Sequence, residues 1–282
     1  MTYDAFEVSV SDKIARVHMN RPEKGNSMIP AFWRELPQIV DELSASGSVR
    51  AMIITGEGRN FCSGMDLSVF GSDPAIGPEA ESSGHRSRRG ERFRSTALKL
   101  QDTFTAMERA RFPVLCAVQG ACVGGGIDMI SAADLRYADE SAFFSIAEIN
   151  IGMTADVGTL QRMPKLVPEG VVKELAYTGR RWTAQEAKAA GFVNEVYPDY
   201  ETMVDAVMGI AGDIAAKSPM AVWGTKSTMH YTRDHTVTDG LEYIANWNAA
   251  MFDTDDMAEA FKASVEKRSP DFPDLWPLSD GL

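Results

Sequence analysis

Positive charge is scarce in this chain: 28 Lys and Arg stand against 40 Asp and Glu, for a formal net charge of -12. A nucleic-acid partner is thereby disfavoured, because neutralising phosphates takes clustered cations. Cysteine is scarce as well. Cys62, Cys116 and Cys122 form an odd set with no Cys-x-x-Cys pair, so neither a disulfide framework nor a zinc cage is expected, and a reducing compartment fits. His18, His85, His230 and His235 never fall at metal-ligand spacing or in a nucleophile setting, and are read as structural or exposed. No apolar stretch approaches the roughly 20 residues of a membrane span. Met1-Thr2-Tyr3-Asp4 has no basic start or apolar run, and Ser279-Asp280-Gly281-Leu282 is not a Ser-Lys-Leu address, so a cytoplasmic protein is expected. Internal repeats are also missing.

With 282 residues, 44% of them hydrophobic, the chain can bury a sizeable core as one large domain or a domain with a helical appendage. Phe6 to Val10 and Ile14 to Met19 alternate apolar and polar residues about a short turn, the pattern of a hairpin. A helix is expected from about Pro30 to Leu43, with Pro37 kinking it or shifting its start. Val49 to Thr55 and Val114 to Val118 are short apolar runs, expected to be buried strands, and Leu135 to Ala138 and Ala142 to Ile146 are two more. Between them Ser95 to Ala110 carries Leu98, Phe104 and Met107 among charges and reads as a helix ending before Pro113.

Beyond Asp156 the pattern is mostly helical: Val157 to Leu166, Glu169 to Tyr177, Ala184 to Ala190, then several helices from Tyr200 to Arg268. Thr183 and Glu186 have capping-box spacing, and Gly191 marks the stop. Strands joined by helical crossovers, followed by a helix-only tail, indicate an α/β fold with a C-terminal helical subdomain, divided at 199/200. In that tail Trp247, Phe252 and Phe261 are read as core, with an acyl tunnel or a subunit interface as alternatives. The one basic run, His85-Arg86-Ser87-Arg88-Arg89 with Arg92 and Arg94, lies in a polar stretch starting near Gly71. It is read as a solvated flexible face, the alternative being that its arginines meet the phosphates of a nucleotide handle.

Two segments run from a buried strand into glycine-rich backbone: Phe61-Cys62-Ser63-Gly64-Met65-Asp66-Leu67, and the turn Gly124-Gly125-Gly126. Small residues there let a ligand approach main-chain N–H groups. Neither contains a P-loop or a Gly-x-Gly-x-x-Gly fingerprint. A triple glycine opening a helix offers unpaired N–H groups and the positive dipole end, which suits an oxyanion; a tight turn with no ligand is the other reading. Three acids follow. Asp128 lies just inside the glycine-led helix, Glu148 ends an apolar run where desolvation would raise its pKa, and Asp156 sits between Ala155 and Val157. Each can also be an ordinary surface carboxylate, and Asp156 can equally be a helix N-cap before Val157.

At these residues the chain resembles the crotonase superfamily, also called the enoyl-CoA hydratase/isomerase family. The matching pieces are Asn20-Arg21-Pro22, Phe61 to Leu67, Ala117-Val118-Gln119-Gly120 leading to the triple glycine, and Gly158-Thr159-Leu160-Gln161-Arg162. The resemblance implies a crotonase-like spiral of ββα units with helices at the C-terminus, assembled as homotrimers or dimers of trimers. It implies an oxyanion hole from the N–H groups of Met65 and Gly125, with Ser63, Gly64, Met65, Asp66 and Leu67 along an acyl-CoA thioester. Coenzyme A then belongs to the substrate, and no separate cofactor is expected.

Within the superfamily, Gly120 to Leu166 looks most like dienoyl-CoA isomerases. Hydratases carry glutamates at the places of Asp128 and Glu148 and a glycine at that of Asp156, whereas the isomerase pattern is Asp, Glu, Asp, as here. By similarity Asp156 would serve the C2 proton and Glu148 C6, with Asp128 tuning or orienting the site. An enoyl-CoA hydratase is the nearest alternative, and a non-catalytic acyl-CoA-binding protein the next. Pro37 and the polar insertion between Gly71 and Arg94 belong to no motif of the family.

Overall fold

The computed structural model describes residues 3–66, 69 and 86–278. The expectations for Leu67, His85 and the first part of the polar insertion, 71–85, fall outside them. Strand β1 (Phe6–Ser11) pairs antiparallel with β2 (Ile14–Met19). Asp12 and Lys13 between them take positive φ, 50° and 66°, as a two-residue loop joining right-twisted strands requires. From β2 onward one cycle repeats: a strand in a large sheet, an extended segment in a smaller layer, then a helix.

In the large sheet β3 (Ala51–Gly56), β4 (Val114–Val118) and β6 (Leu135–Asp139) follow β2 in parallel, and β9 (Glu195–Tyr197) forms the far edge. The smaller layer keeps the same order. Met28 bridges Met65, Cys62 bridges Cys122 in β5 (Ala121–Val123), and β5 pairs with β7 (Phe143–Ser145), all parallel; β8 (Trp182–Thr183) adds an antiparallel edge. Helices α1 (Pro30–Ser46), α2 (Arg86–Arg109) and α3 (Gly125–Ala132) complete successive turns. The α/β spiral of ββα units expected from the sequence is therefore present.

Strands β3 and β4 are buried along their whole length, as parallel strands covered on both faces must be. Side-chain alternation splits their contacts. Ala51, Ile53, Leu115 and Ala117 meet Met203, Val207 and Ala211 of α7 (Tyr200–Ala215). Met52, Ile54, Val114 and Cys116 face the main core with Phe32, Leu36, Phe104 and Met107 from α1 and α2. At the chain's end, α8 (Pro219–Arg233), α9 (Val237–Met251) and α10 (Thr254–Glu266) follow. Buried Lys226 ties α8 to the body, its Nζ donating to the carbonyls of Met107 (2.7 Å) and Phe112 (2.8 Å) and pairing with Asp134 (2.8 Å).

Several expectations are corrected. Helix α2 begins at Arg86 rather than Ser95, so the described part of the basic run is helical, and Leu98 on it is exposed. Val157 to Leu166 is not one helix but the four-residue α4 (Thr159–Arg162) and a 3-10 turn. Helices α5 (Glu169–Thr178) and α6 (Ala184–Ala189) stand as expected, α6 with its Thr183–Glu186 capping box. Strands β5, β8 and β9, only two or three residues each, carry too little periodicity to read. Phe252 and Phe261 are exposed rather than core, and Trp247 is half-buried, edge-on to Trp223.

Pro37 neither breaks α1 nor shifts its start. Proline has no N–H to give to the carbonyl four residues back, that of Trp33. The Thr103 hydroxyl of α2 donates to that carbonyl instead, at 3.2 Å in a buried setting. Thr103→Val should therefore lower stability by about 1 kcal/mol, read as a lower urea midpoint at unchanged m. An unaltered midpoint would mean that the carbonyl finds another partner.

Candidate active site

Two neighbouring turns of the spiral bring glycine backbone together. Gly64, at φ +94°, lies so close to the next turn that a Cβ on it would sit 3.0 Å from the Val123 carbonyl oxygen and 3.8 Å from the Gly125 nitrogen. A Cβ on Gly125 would meet the Met28 sulfur at 2.8 Å and lie 3.9 Å from the Met65 nitrogen. The bridge from Met28 is made by the Gly64 carbonyl (2.9 Å) and the Asp66 N–H (3.1 Å). In a parallel ladder this leaves the N–H of Met65 itself pointing the other way. Gly125 is the first residue of α3, where a helix leaves its N–H groups unpaired. The amides of Met65 and Gly125 thus lie close together on adjoining turns.

The acids are placed by three different elements. Asp128, in the first turn of α3, is 1% exposed, and its Oδ1 accepts the Thr159 N–H at 2.7 Å. Burial pushes its carboxyl up to about 6, against the lowering effect of the Thr159 hydrogen bonds. Glu148 lies on the 3-10 turn after β7. Its Oε1 is 3.2 Å from where a Cβ on Gly124 would be, which, with φ +53°, keeps position 124 a glycine. Its Oε2 is buried without a hydrogen-bond partner among the described residues. Burial first, and then the charge of Asp128, push Glu148 up to about 7.

Asp156 is half-buried, raised by burial and restrained by its own backbone hydrogen bond. It does not cap a helix: the residue preceding α4 is Gly158, so that alternative is set aside. The charge of Asp156 acts on both other acids, so the three form one electrostatic cluster. The nearby thiols offer no nucleophile. Cys62 and Cys122 are fully buried, and desolvation pushes Cys62 to about 12 and Cys122 well up.

Of the remaining predicted site residues, Gly64 is buried, while Ser63 is exposed and its hydroxyl reaches the Lys24 carbonyl at 3.3 Å. Asp66 accepts the Ser27 hydroxyl at 2.9 Å and lies 3.8 Å from Arg21, tying the glycine segment to the Asn20-Arg21-Pro22 loop. Thr159, Gln101 and Met28 were missed by sequence reasoning. Thr159 lay inside a matched motif without a role; the other two have no local signal, being brought in by α2 and by the first turn of the spiral.

Residues 9–275 match the family described as enoyl-CoA hydratase/isomerase. The chain belongs to the enoyl-CoA hydratase/isomerase family. It is 40% identical over 268 residues, 94% of this chain and 81% of the other, to the rat mitochondrial Delta(3,5)-Delta(2,4)-dienoyl-CoA isomerase. To the peroxisomal protein of that name from Arabidopsis thaliana it is 39% identical, over 97% of this chain and 98% of the other. Among solved structures, an enoyl-CoA hydratase from Bacillus anthracis superposes with a TM-score of 0.83 at 30% identity, covering 95% of this chain and 99% of that one. Among the described residues no helix is long and apolar enough to cross a membrane.

The cluster of this family member sets a sign for stability against pH. Glu148 moves from an ordinary 4.5 to about 7 on folding, so between those values the folded state holds the extra proton. Unfolding free energy then falls as pH rises through that window. Glu148→Gln keeps the shape without the charge, and at about pH 8 should be more stable than the parent by on the order of 1–3 kcal/mol. The gain should vanish below about pH 4, where both states are protonated. Equal melting temperatures at the higher pH would show that the Glu148 charge is not desolvated.

Proposed function

We propose that this enzyme is a dienoyl-CoA isomerase that converts a 3,5-dienoyl-CoA to the 2,4-isomer in fatty acid β-oxidation, with the Met65 and Gly125 amides on the thioester oxygen. The observation that carries the reading is a cluster of three desolvated acids beside the closely approaching backbone of Met65 and Gly125. Removing a proton from C2 leaves a dienolate whose charge reaches the carbonyl oxygen and C6. Amide donors fixed in place for that oxygen act mainly in the transition state, and losing one costs on the order of 100-fold or more in rate.

The reaction needs one base without its proton and one acid with its proton. Asp156, the more exposed of the two, is suited to take the C2 proton. Glu148, held near 7, is half-protonated at neutral pH and is suited to give a proton to C6; two acids in unlike surroundings divide such roles. After turnover Asp156 carries the proton and Glu148 lacks it, and exchange with solvent restores both. Asp128 orients and tunes the pair. Water addition would instead call for two carboxylates about one water, which a hydratase reading requires.

The dienoyl-CoA isomerase relatives support this substrate class. Exposed apolar side chains on the C-terminal helices and the link between the last two, among them Leu241, Phe252, Phe261 and Val265, support a homotrimer or a dimer of trimers. Three unpaired buried thiols suit a reducing compartment. The cytosol is our proposal, although the two named relatives are mitochondrial and peroxisomal.

Given 3,5-dienoyl-CoA and crotonyl-CoA side by side, the enzyme should generate new conjugated absorbance from the first far faster than it hydrates the second. The reverse preference would make it a hydratase, and binding without turnover of either would leave an acyl-CoA-binding protein. Asp156→Asn should abolish isomerisation while acyl-CoA still binds. The rate should also fall above about pH 7 as Glu148 loses its proton, with an acid limb above the usual aspartate range; a flat profile would remove the acid–base assignment.

A further inference from the structure

We propose that Gln101, Glu108 and Arg162 are positioning residues that set the C2 base, Asp156, from behind; this rests on the isomerase reading above. The Asp156–Gly158 segment leading into α4 is irregular, with Gly158 at φ +134°, so local helix geometry does not fix it. It is gripped from three sides. Gln101 of α2 donates its Nε2 hydrogen to the Asp156 carbonyl at 2.7 Å. The Thr159 N–H is held by Asp128 at 2.7 Å. Arg162 folds back over Gly158 so closely that a Cβ there would lie 1.9 Å from its Nη1.

Arg162 is held in its turn. Its Nη2 donates to Glu108 Oε2 at 2.9 Å and to the Thr105 hydroxyl at 3.0 Å, and its Nε to Glu108 Oε1 at 3.2 Å. Both side chains are only 11% exposed. Glu108 also accepts from Arg233 Nη1 at 2.7 Å, so one carboxylate pins α2, α4 and the end of α8 together. A two-point guanidinium–carboxylate fork fixes direction as well as distance. The α2 face of Gln101, Thr105 and Glu108 therefore serves as a ruler along the segment bearing the base. A displacement of about 1 Å in a reacting group is enough to cost about 100-fold.

The test compares the parent, Gln101→Met, Arg162→Met, Arg162→Lys and Asp156→Asn in D2O, following isomerisation and deuterium uptake at C2 of a 3,5-dienoyl-CoA. Gln101→Met removes one hydrogen bond from an otherwise intact fold. It should lower kcat and C2 exchange together by about 10- to 100-fold, with KM within about twofold and the melting temperature near the parent's. Arg162→Met should do the same, and Arg162→Lys, which keeps a cation for Glu108, should recover much of the loss. If Arg162→Met fails to fold, Gln101→Met decides the matter. Parental kcat in Gln101→Met, or a loss that only tracks melting temperature and KM, overturns the proposal. Asp156→Asn separates the two levels. If it loses C2 exchange while Gln101→Met does not, only the positioning claim falls; if it exchanges C2 like the parent, the base assignment falls and the positioning claim with it.

Discussion

Everything at this site depends on how closely two turns of the spiral approach at Gly64 and Gly124–Gly125. A Cβ at any of these positions would be crowded: 3.0 Å from the Val123 carbonyl oxygen at Gly64, 3.2 Å from Glu148 Oε1 at Gly124 and 2.8 Å from the Met28 sulfur at Gly125. The absence of side chains is what lets the backbone of two different turns come this close. The parallel bridges in the smaller layer hold that approach in register, because each bridge fixes the height of one turn against the next. The central strands of the large sheet, β3 and β4, buried along their whole length, supply the stiffness behind it.

The same approach creates an electrostatic cost. Asp128 and Glu148 are taken out of water beside each other, with Asp156 near both, and burial pushes their carboxyls up, the Arg162 charge offsetting only part of this at Asp128. Elsewhere this protein pairs its buried charges. Glu108 meets two arginines and is held below its usual range despite burial, and Lys226 meets Asp134. The chain therefore has the means to satisfy a buried acid and does not use them at Glu148, whose Oε2 has no partner among the described residues. An unsatisfied, desolvated carboxylate is a stability defect that persists where proton transfer needs it.

How much of this was legible in the sequence divides along physical lines. Long apolar runs and glycine clusters are local, so β3, β4, the hairpin and the glycine corner could be read directly. The three acids could be listed from the sequence, and Glu148 singled out among them because it ends an apolar run, but the extent of its enclosure could not be read. What raises Glu148 above the others is an enclosure assembled from α3, the turn after β7 and the segment around Asp156, elements far apart in the chain. What Pro37 does to α1 depends on Thr103, 66 positions away, which takes over the carbonyl that proline cannot serve. Phe252 and Phe261 misled, since hydrophobicity marks a residue for burial without saying whether its own chain provides the cover.

Asp128 shows why one methylene matters in such a place. At 1% exposure there is no slack around it, and its Oδ1 already sits at hydrogen-bond distance from the Thr159 N–H. A glutamate at this position would carry the carboxylate farther along the same direction. It would have to push the Thr159 segment outward or fold back and give up that N–H. Either response moves the neighbouring residues, including Asp156 three positions earlier. The short side chain at 128 and the acid at 156 are therefore not two independent features. The retracted carboxylate allows the segment to lie close against α3, and that closeness brings the third acid into the electrostatic reach of the first two.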